Sequence, residues 1–356
     1  MDTDGTTPSG RPHPEPRCGA PRIPATCGTN ESRARMSSSK TLHLAVELDS
    51  DGAPPETSPR ALADVVADAE RAGYTFATFD DAPVPPAGGF RVDATVRAAY
   101  SATRTSRLGL APTSHVLTAE PFHLAAQLAS LDHATHGRAA WIVGTAATPE
   151  ALATVGRAAP DDLRQEVADV VETVRRLWDS WEDDAVIKDL ATGRYLNPDK
   201  VHHVDFVGDT FSVKGPLITP RPPQGSLVVL AAEEFTEVVR PDIVLTDDLR
   251  RSRTADARLV FGELEVRFDS GTPAANGRTR YTGSPAGLIP FLEELDLDGV
   301  RLHPGAADLP LLSREVLPEL RRRGRHTPPE PGATLRTTLG LPRPQNRFAV
   351  SSKGIA

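Results

Sequence analysis

Short apolar runs alternate with helical stretches from residue 41 onward. The runs TLHLAVEL, YTFATFD and RLGLAPT have the length and composition of buried strands, and segments with apolar residues every three or four positions separate them. The clearest helix covers residues 160–178, where one face carries Leu163, Val167, Val170, Val174 and Leu177. This alternation predicts an α/β fold whose strands are parallel and are joined by helices.

The same alternation continues through the second half of the chain. SLVVLAA, PDIVLTD, ARLVFGELEVRF and DGVRLHP are further strand-like runs, and SPAGLIPFLEELDL and LPLLSREVLPELRRRG have helical spacing. The count comes to about eight strands, each mostly followed by a helix. We therefore predict a TIM-type (β/α)8 barrel, with a doubly wound open sheet as the alternative.

Changes in composition divide the chain into a central domain and two flanking tails. Residues 1–40 are rich in Pro, Gly, Ser, Thr and Arg and predict a disordered tail, and Met36 is an alternative start. The barrel is predicted over residues 41–325, with a polar insertion at 179–224 after the fourth helix. Residues 326–356 are rich in Pro and predict an extended C-terminal tail.

Charge and cysteine content narrow the class of protein. The 356 residues carry a formal net charge of −8, which disfavours binding to nucleic acid because no positive field would attract phosphates. No apolar run approaches the roughly 20 residues that cross a bilayer. The cysteines, Cys18 and Cys27, both lie in the N-terminal tail, and a core without cysteine fits a reducing, cytoplasmic location. His133 and His136 lack a third ligand at suitable spacing, so we predict no metal.

Small polar residues stand where two neighbouring strands are predicted to end. Pro112, Thr113, Ser114 and His115 end one strand, and Gly144 ends the next. In parallel barrels the chemistry gathers at these carboxyl ends. His115 is a weak candidate for a general base or a substrate contact there, against the alternative that it is a structural histidine.

Two long segments resemble a known family. RLGLAPTSHVLTAEPFHLAAQLASLDHATHGRAAW and LWDSWEDDAVIKDLATGRYLNPDKVHHVDFVGDTFSVKGPLITPRPPQG are similar to bacterial luciferase-like flavin-dependent monooxygenases, in the branch of nitrilotriacetate monooxygenase component A. The resemblance covers most of residues 41–345. It implies a TIM-type barrel, reduced FMN from a separate flavin reductase, O2 as co-substrate and a small organic substrate.

The resemblance also implies which residues would meet the flavin. A family strand that ends in Ala-Asp matches AERAGYTFATFDD and places its aspartate at Asp81, and a family Pro-Thr-Ala-Ser strand end places a threonine at Thr113. Elsewhere the chain departs from the family. The His and Tyr that meet FMN before the long helix correspond to residues within 160–164, which read Pro-Asp-Asp-Leu-Arg. Here Arg164 could act as a substitute cation.

The largest departure lies where the family holds the FMN phosphate. A Ser-x-x-Gly-type loop is replaced by Glu233-Glu234-Phe235, and carboxylates oppose a phosphate electrostatically. The chain is also short between Ala232 and Tyr281, which predicts a shortened late crossover.

These observations leave two main hypotheses of function. The extent of the resemblance favours a two-component FMN-dependent monooxygenase. The departures favour a catalytically degenerate barrel that serves as partner or regulatory subunit of an active paralogue. A third hypothesis keeps the oxidoreductase class with a deazaflavin cofactor. The resemblance further suggests a homo- or hetero-oligomer.

Overall fold

The computed structural model describes residues 41–49, 58–84, 91–251, 259–268 and 278–351. The predicted disordered tail at 1–40, including Met36, Cys18 and Cys27, lies outside these residues.

Eight parallel strands close into a barrel in the order β1-β2-β3-β4-β9-β10-β11-β13. Closure comes from the pairing of β13 with β1, where His43 lies opposite Gly299. The prediction of a TIM-type barrel is confirmed, and the open sheet is excluded. The strands are β1 (His43–Glu47), β2 (Phe76–Phe79), β3 (Gly109–His115), β4 (Ala140–Gly144), β5 (Val186–Asp189), β6 (Arg194–Leu196), β7 (Phe206–Val207), β8 (Ser212–Val213), β9 (Val228–Ala232), β10 (Ile243–Thr246), β11 (Leu259–Arg267), β12 (Thr279–Thr282) and β13 (Gly299–Pro304).

Helices surround the barrel, and the sequence indicates where the first of them begins and ends. Ser58 caps the first helix through its side-chain oxygen, Pro59 is the first helical residue, and Gly73 ends the helix with φ 83°. The helices are α1 (Pro59–Ala72), α2 (Ala94–Ala102), α3 (Pro121–Ala134), α4 (Pro149–Ala153), α5 (Leu163–Asp179), α6 (Thr236–Val239), α7 (Pro285–Glu294), α8 (Leu309–Leu311), α9 (Leu317–Arg322), α10 (Leu335–Thr338) and α11 (Arg347–Ser351), with a π-helical stretch at Leu312–Val316. None of the described helices is both long and apolar enough to cross a membrane.

The insertion after α5 carries two hairpins, β5–β6 and β7–β8. Trp178 and Trp181 fasten its base, because their indole N–H groups donate to the carbonyls of Ala125 (3.1 Å) and Leu217 (2.8 Å). The sequence predicts one short hairpin in the insertion, within VHHVDFVGDTFSVKG, and β7 and β8 lie in that segment. The β5–β6 hairpin was missed because its strands are mostly exposed and carry little apolar pattern.

The late part of the barrel is compact. The link between β10 and β11 covers residues 247–258, and its described part, 247–251, contains no helix. The first half of β11 pairs with β10, and its last residues pair with β12 instead, Leu264 lying opposite Thr279. The shortened crossover predicted between Ala232 and Tyr281 lies in this region.

The C-terminal segment closes the bottom of the barrel. Leu335 and Leu339 pack into the same apolar cluster as the inward-facing Phe76, Ala111 and Leu230. Within residues 326–351, predicted to be extended, the structure has two short helices, α10 and α11. A second apolar layer fills the space between the strands and the surrounding helices.

Candidate functional site

The carboxyl ends of β2 and β3 bring together the two residues that the resemblance assigns to the flavin. The Asp81 carboxylate accepts hydrogen bonds from the backbone N–H groups of Ala82 (2.8 Å) and Ala94 (2.7 Å). It therefore fixes the loop that leads into α2. Thr113 is buried and belongs to the inward-facing side of β3. Both residues line a cavity of about 220 Å³, with His115, Asp93, Thr118 and Gln127 also in its wall.

His115 holds three strand ends together. Its Nε2 lies 3.0 Å from the Asp81 carbonyl, and its Nδ1 accepts from the backbone N–H of Ala146 at 3.2 Å. These partners require the proton on Nε2. Gly144 accommodates the ring, because a Cβ there would lie 2.5 Å from His115 Nδ1. With both ring nitrogens in backbone hydrogen bonds, the geometry favours the structural alternative over a general base.

The loop after β9 stands where the family holds a phosphate. The Glu233 carboxylate accepts from Thr246 Oγ1 at 2.7 Å and pairs with Arg251. Arg164 reaches this loop from α5, where its Nη1 donates to the Glu234 carbonyl at 2.5 Å. Its guanidinium also lies 5.9 Å from the ring centre of Phe235. Two cations therefore accompany the two acids at this strand end.

One buried hydroxyl in this loop is left without a partner. Thr236 Oγ1, at the start of α6, makes no hydrogen bond within the described part of the chain. Buried polar atoms are nearly always hydrogen-bonded in native proteins, so this hydroxyl is an exception, and the protein around it leaves it closed to a ligand.

A charged layer crosses the barrel interior at the adjoining strands β2, β1, β13 and β11. Arg301 is its centre: Nε donates to Thr78 Oγ1 at 3.0 Å, Nη1 donates to Glu263 Oε1 at 3.2 Å, and Nη2 pairs with Glu47. Next to it His303 Nε2 pairs with Glu263 Oε2. All five side chains are buried. The interior of a TIM barrel is normally filled by branched apolar residues, so this charged layer differs from the usual barrel core. Burying charges is costly, which suggests that the layer has a function.

Burial and neighbouring charge act in opposite directions on the two acids of this layer. Burial raises the pKa of Glu47 to about 7, against the lowering effect of Arg301. Burial would also raise the pKa of Glu263, but Arg301 and His303 together hold it well below its usual range. Glu263 is therefore ionised near neutral pH.

Sequence reasoning missed this layer. The signal was present: in VFGELEVRF and GVRLHP charged residues alternate with apolar ones, which puts the charges on one face of each strand. A strand with one face exposed to solvent has the same alternating sequence pattern. Only closure of the barrel therefore shows that the charged face of these strands points inward. No group of three or more His, Cys, Asp or Glu side chains arranged to hold a metal occurs in the described ranges.

Comparison with known proteins shows which family and which relatives the chain resembles. Residues 41–240 match the model of a family described as luciferase-like monooxygenase. One of the subunits of pristinamycin IIA synthase from Streptomyces pristinaespiralis is 31% identical over 309 residues, which cover 87% of this chain and 98% of the relative. N-acetyl-S-(2-succino)cysteine monooxygenase of Bacillus subtilis (strain 168) is 44% identical over 131 residues, 36% of this chain and only 30% of that protein.

A solved structure confirms the fold. The crystal structure of a long-chain alkane monooxygenase superposes with a TM-score of 0.74 at 20% identity, over 88% of this chain and 99% of that chain. From the family match and the full-length relative, the chain belongs to the luciferase-like monooxygenase family.

Proposed function

We propose that the chain is the oxygenating barrel of a two-component flavin-dependent monooxygenase. In this proposal it takes reduced FMN from a separate flavin reductase and inserts one oxygen atom of O2 into a small organic substrate. The observation that carries the proposal is the arrangement of polar groups at one end of the barrel: Thr113 and the Asp81 loop at β2 and β3, and Arg164 beside the loop after β9.

In this proposal Arg164 is the residue that meets the flavin phosphate. The exposed Arg164 guanidinium can pair with the phosphate charge after leaving the Glu234 carbonyl, whereas the Thr236 hydroxyl is covered by the protein and is not open to a ligand. Arg251 offsets the charge of Glu233. We assign the flavin ring to the side of Thr113 and Asp81.

The family chemistry assigns the protein a limited set of tasks. Reduced flavin, when bound, supplies the electrons that activate O2. The chain's own residues then hold the site in place: His115 fixes three strand ends, and Asp81 fixes the loop into α2. The apolar residues of β9 and β10 pack in the barrel core, which keeps water out of the interior.

Flavin titration of the full-length protein tests the proposal. Ligand at about 100 times its Kd should add about 2.7 kcal/mol of stability, which a thermal melt detects. Arg164→Ala should weaken binding of FMN more than that of riboflavin, which lacks the phosphate. Arg194→Ala, on the exposed β6 strand, is the matched control and should bind both normally. Absence of any shift with oxidised or reduced FMN would reject the proposal.

A second candidate function is a barrel that no longer holds flavin and works beside an active paralogue. Two observations favour it: the side chains of Glu233 and Glu234 are exposed at the phosphate position, and the relative matched over 98% of its length is named as one subunit of a synthase. By contrast, another subunit of the same synthase is matched over 29% of its length. Under this hypothesis FMN would bind only after the chain is mixed with such a paralogue.

A further inference from the structure

We propose that Glu263 and His303 form an acid–base dyad at the carboxyl end of the barrel, in which His303 Nδ1 exchanges a proton with an O–H or N–H group of the bound substrate. His303 is then a catalytic residue and Glu263 its positioning residue. The use of the dyad in turnover rests on the proposed function, whereas its chemical reactivity does not.

The hydrogen bonds of His303 leave one ring nitrogen available. Nε2 pairs with the Glu263 carboxylate, so the neutral ring carries its proton on Nε2 and a lone pair on Nδ1. Nδ1 has no hydrogen-bond partner among the described residues. A carboxylate that orients an imidazole through one nitrogen while the other faces the reaction is the usual arrangement of a general base.

Two other histidines of the described chain are held differently. His115 uses both nitrogens on backbone groups. His326, at the bottom of the barrel, has Nδ1 at 3.0 Å from the Leu42 carbonyl and Nε2 at 2.8 Å from the Gly73 carbonyl. Both rings therefore serve as structural connectors. His303 differs from them because its one partner is a charged side chain.

The charges around the dyad keep Glu263 in its ionised form. Arg301 on β13 donates to Glu263 Oε1, and Arg278, beside β12, approaches Oε2 to 3.8 Å. Other charged groups of the described chain near the dyad include Glu47 on β1, Asp80 after β2 and Glu265 on β11, and Glu265 is itself paired with Arg280 (2.6 Å) and Arg267 (2.9 Å). These pairings leave the Glu263 carboxylate as the direct partner of the imidazole.

The proton exchange balances without any further reactant. The substrate O–H or N–H bond breaks, its electron pair stays on the substrate oxygen or nitrogen, and the proton bonds to His303 Nδ1. The resulting imidazolium has N–H on both nitrogens and is paired with Glu263. Return of the proton to the product restores the neutral ring, so the dyad is regenerated in each cycle.

The first experiment measures the tautomer directly. Full-length protein labelled with 15N in histidine, compared with His303→Gln for assignment, should show neutral His303 protonated on Nε2 in two-dimensional NMR spectra. A proton on Nδ1 would overturn the proposal, because that nitrogen would then have no lone pair to accept a second proton.

The second experiment measures reactivity with diethyl pyrocarbonate, which modifies imidazole lone pairs, and reads each site by mass spectrometry. His136 is exposed and serves as the reactive control, and the buried His326 is the protected control. We expect modification of His303 well above that of His326, several-fold slower in Glu263→Gln and partly restored in Glu263→Asp, with His136 unchanged throughout.

A His303 as unreactive as His326 would overturn the proposal. An unchanged rate in a folded Glu263→Gln variant would remove the positioning role of Glu263. Neither readout requires flavin, so failure of FMN binding would reject the proposed function and leave the dyad to be judged by these two measurements.

Discussion

Replacing Arg301 with Met should destabilise the barrel by an amount that depends strongly on pH. The guanidinium bonds Thr78 at 3.0 Å and Glu263 at 3.2 Å and pairs with Glu47, and all of these side chains are buried. Met preserves most of the volume of the side chain but leaves two acids without their shared cation. Removal of one partner from a buried ionic cluster costs about 3–5 kcal/mol.

The pH dependence follows from Glu263. In the native protein its pKa lies below the ordinary value of 4.5, so its stabilising effect is complete above about pH 4.5 and is lost as pH falls through the lower native pKa. Without Arg301 this carboxylate protonates at higher pH in the folded state. The deficit of Arg301→Met should therefore be greatest at pH 7.5 and should shrink towards pH 4.

Urea unfolding followed by circular dichroism at pH 5 and 7.5 measures this deficit. Arg314→Met is the matched control, because Arg314 is exposed and donates only to the Pro310 carbonyl (3.2 Å) within the described chain, and its effect should stay within about 0.5 kcal/mol. Adding Glu47→Gln and Glu263→Gln to Arg301→Met should recover part of the loss. A deficit below about 1 kcal/mol at pH 7.5, or an equal deficit at both pH values, would refute the reasoning.

Three further predictions concern other contacts. Gly144→Ala should lower the free energy of unfolding by about 1–3 kcal/mol, because the new Cβ would lie 2.5 Å from His115 Nδ1 and two hydrogen bonds hold that ring. An unchanged melting temperature would show that the ring moves freely. Arg336→Met should destabilise the folded protein by about 3–5 kcal/mol, because the buried guanidinium donates to the Ser226 carbonyl (2.7 Å) and pairs with Asp242 (3.0 Å). An unfolding midpoint equal to that of wild type would contradict this prediction. Arg343 and Arg221 lower the pKa of Asp183 to about 2. Asp183→Asn should therefore reduce the stability of the C-terminal segment by no more than about 1 kcal/mol at neutral pH. In wild type the same contact should be lost as pH falls from 3.8 to about 2, and limited proteolysis at 326–351 would show this loss.

The strands and helices of the barrel were predictable because each carries a local signal. The cap Ser58, Pro59 at the first helical position and Gly73 as the stop define α1 from sequence alone, and the apolar face of α5 defines that helix. The resemblance supplied the family and pointed to Asp81 and Thr113, which do lie at neighbouring strand ends around one cavity.

The charged layer was not predictable in the same way. Glu47 and Thr78 lie opposite each other on the neighbouring strands β1 and β2, but Arg301 is far from both in the chain, and only closure of β13 on β1 brings it to them. His303 was missed for the same reason, because its significance depends on Glu263 across a strand pair. Conversely, His115 drew attention from its position beside Thr113, and the structure shows both of its nitrogens occupied by backbone groups.

The plug formed by Leu335 and Leu339 has a consequence for biosynthesis. The base of the barrel is completed by residues made after all of its strands, and the seam between β1 and β13 joins the first and the last barrel strand to be made. Until those residues leave the ribosome, β1 has an open edge and the apolar interior is uncovered, which exposes the nascent chain to aggregation. Chaperone demand during synthesis should therefore exceed that of a protein whose core forms from neighbouring segments.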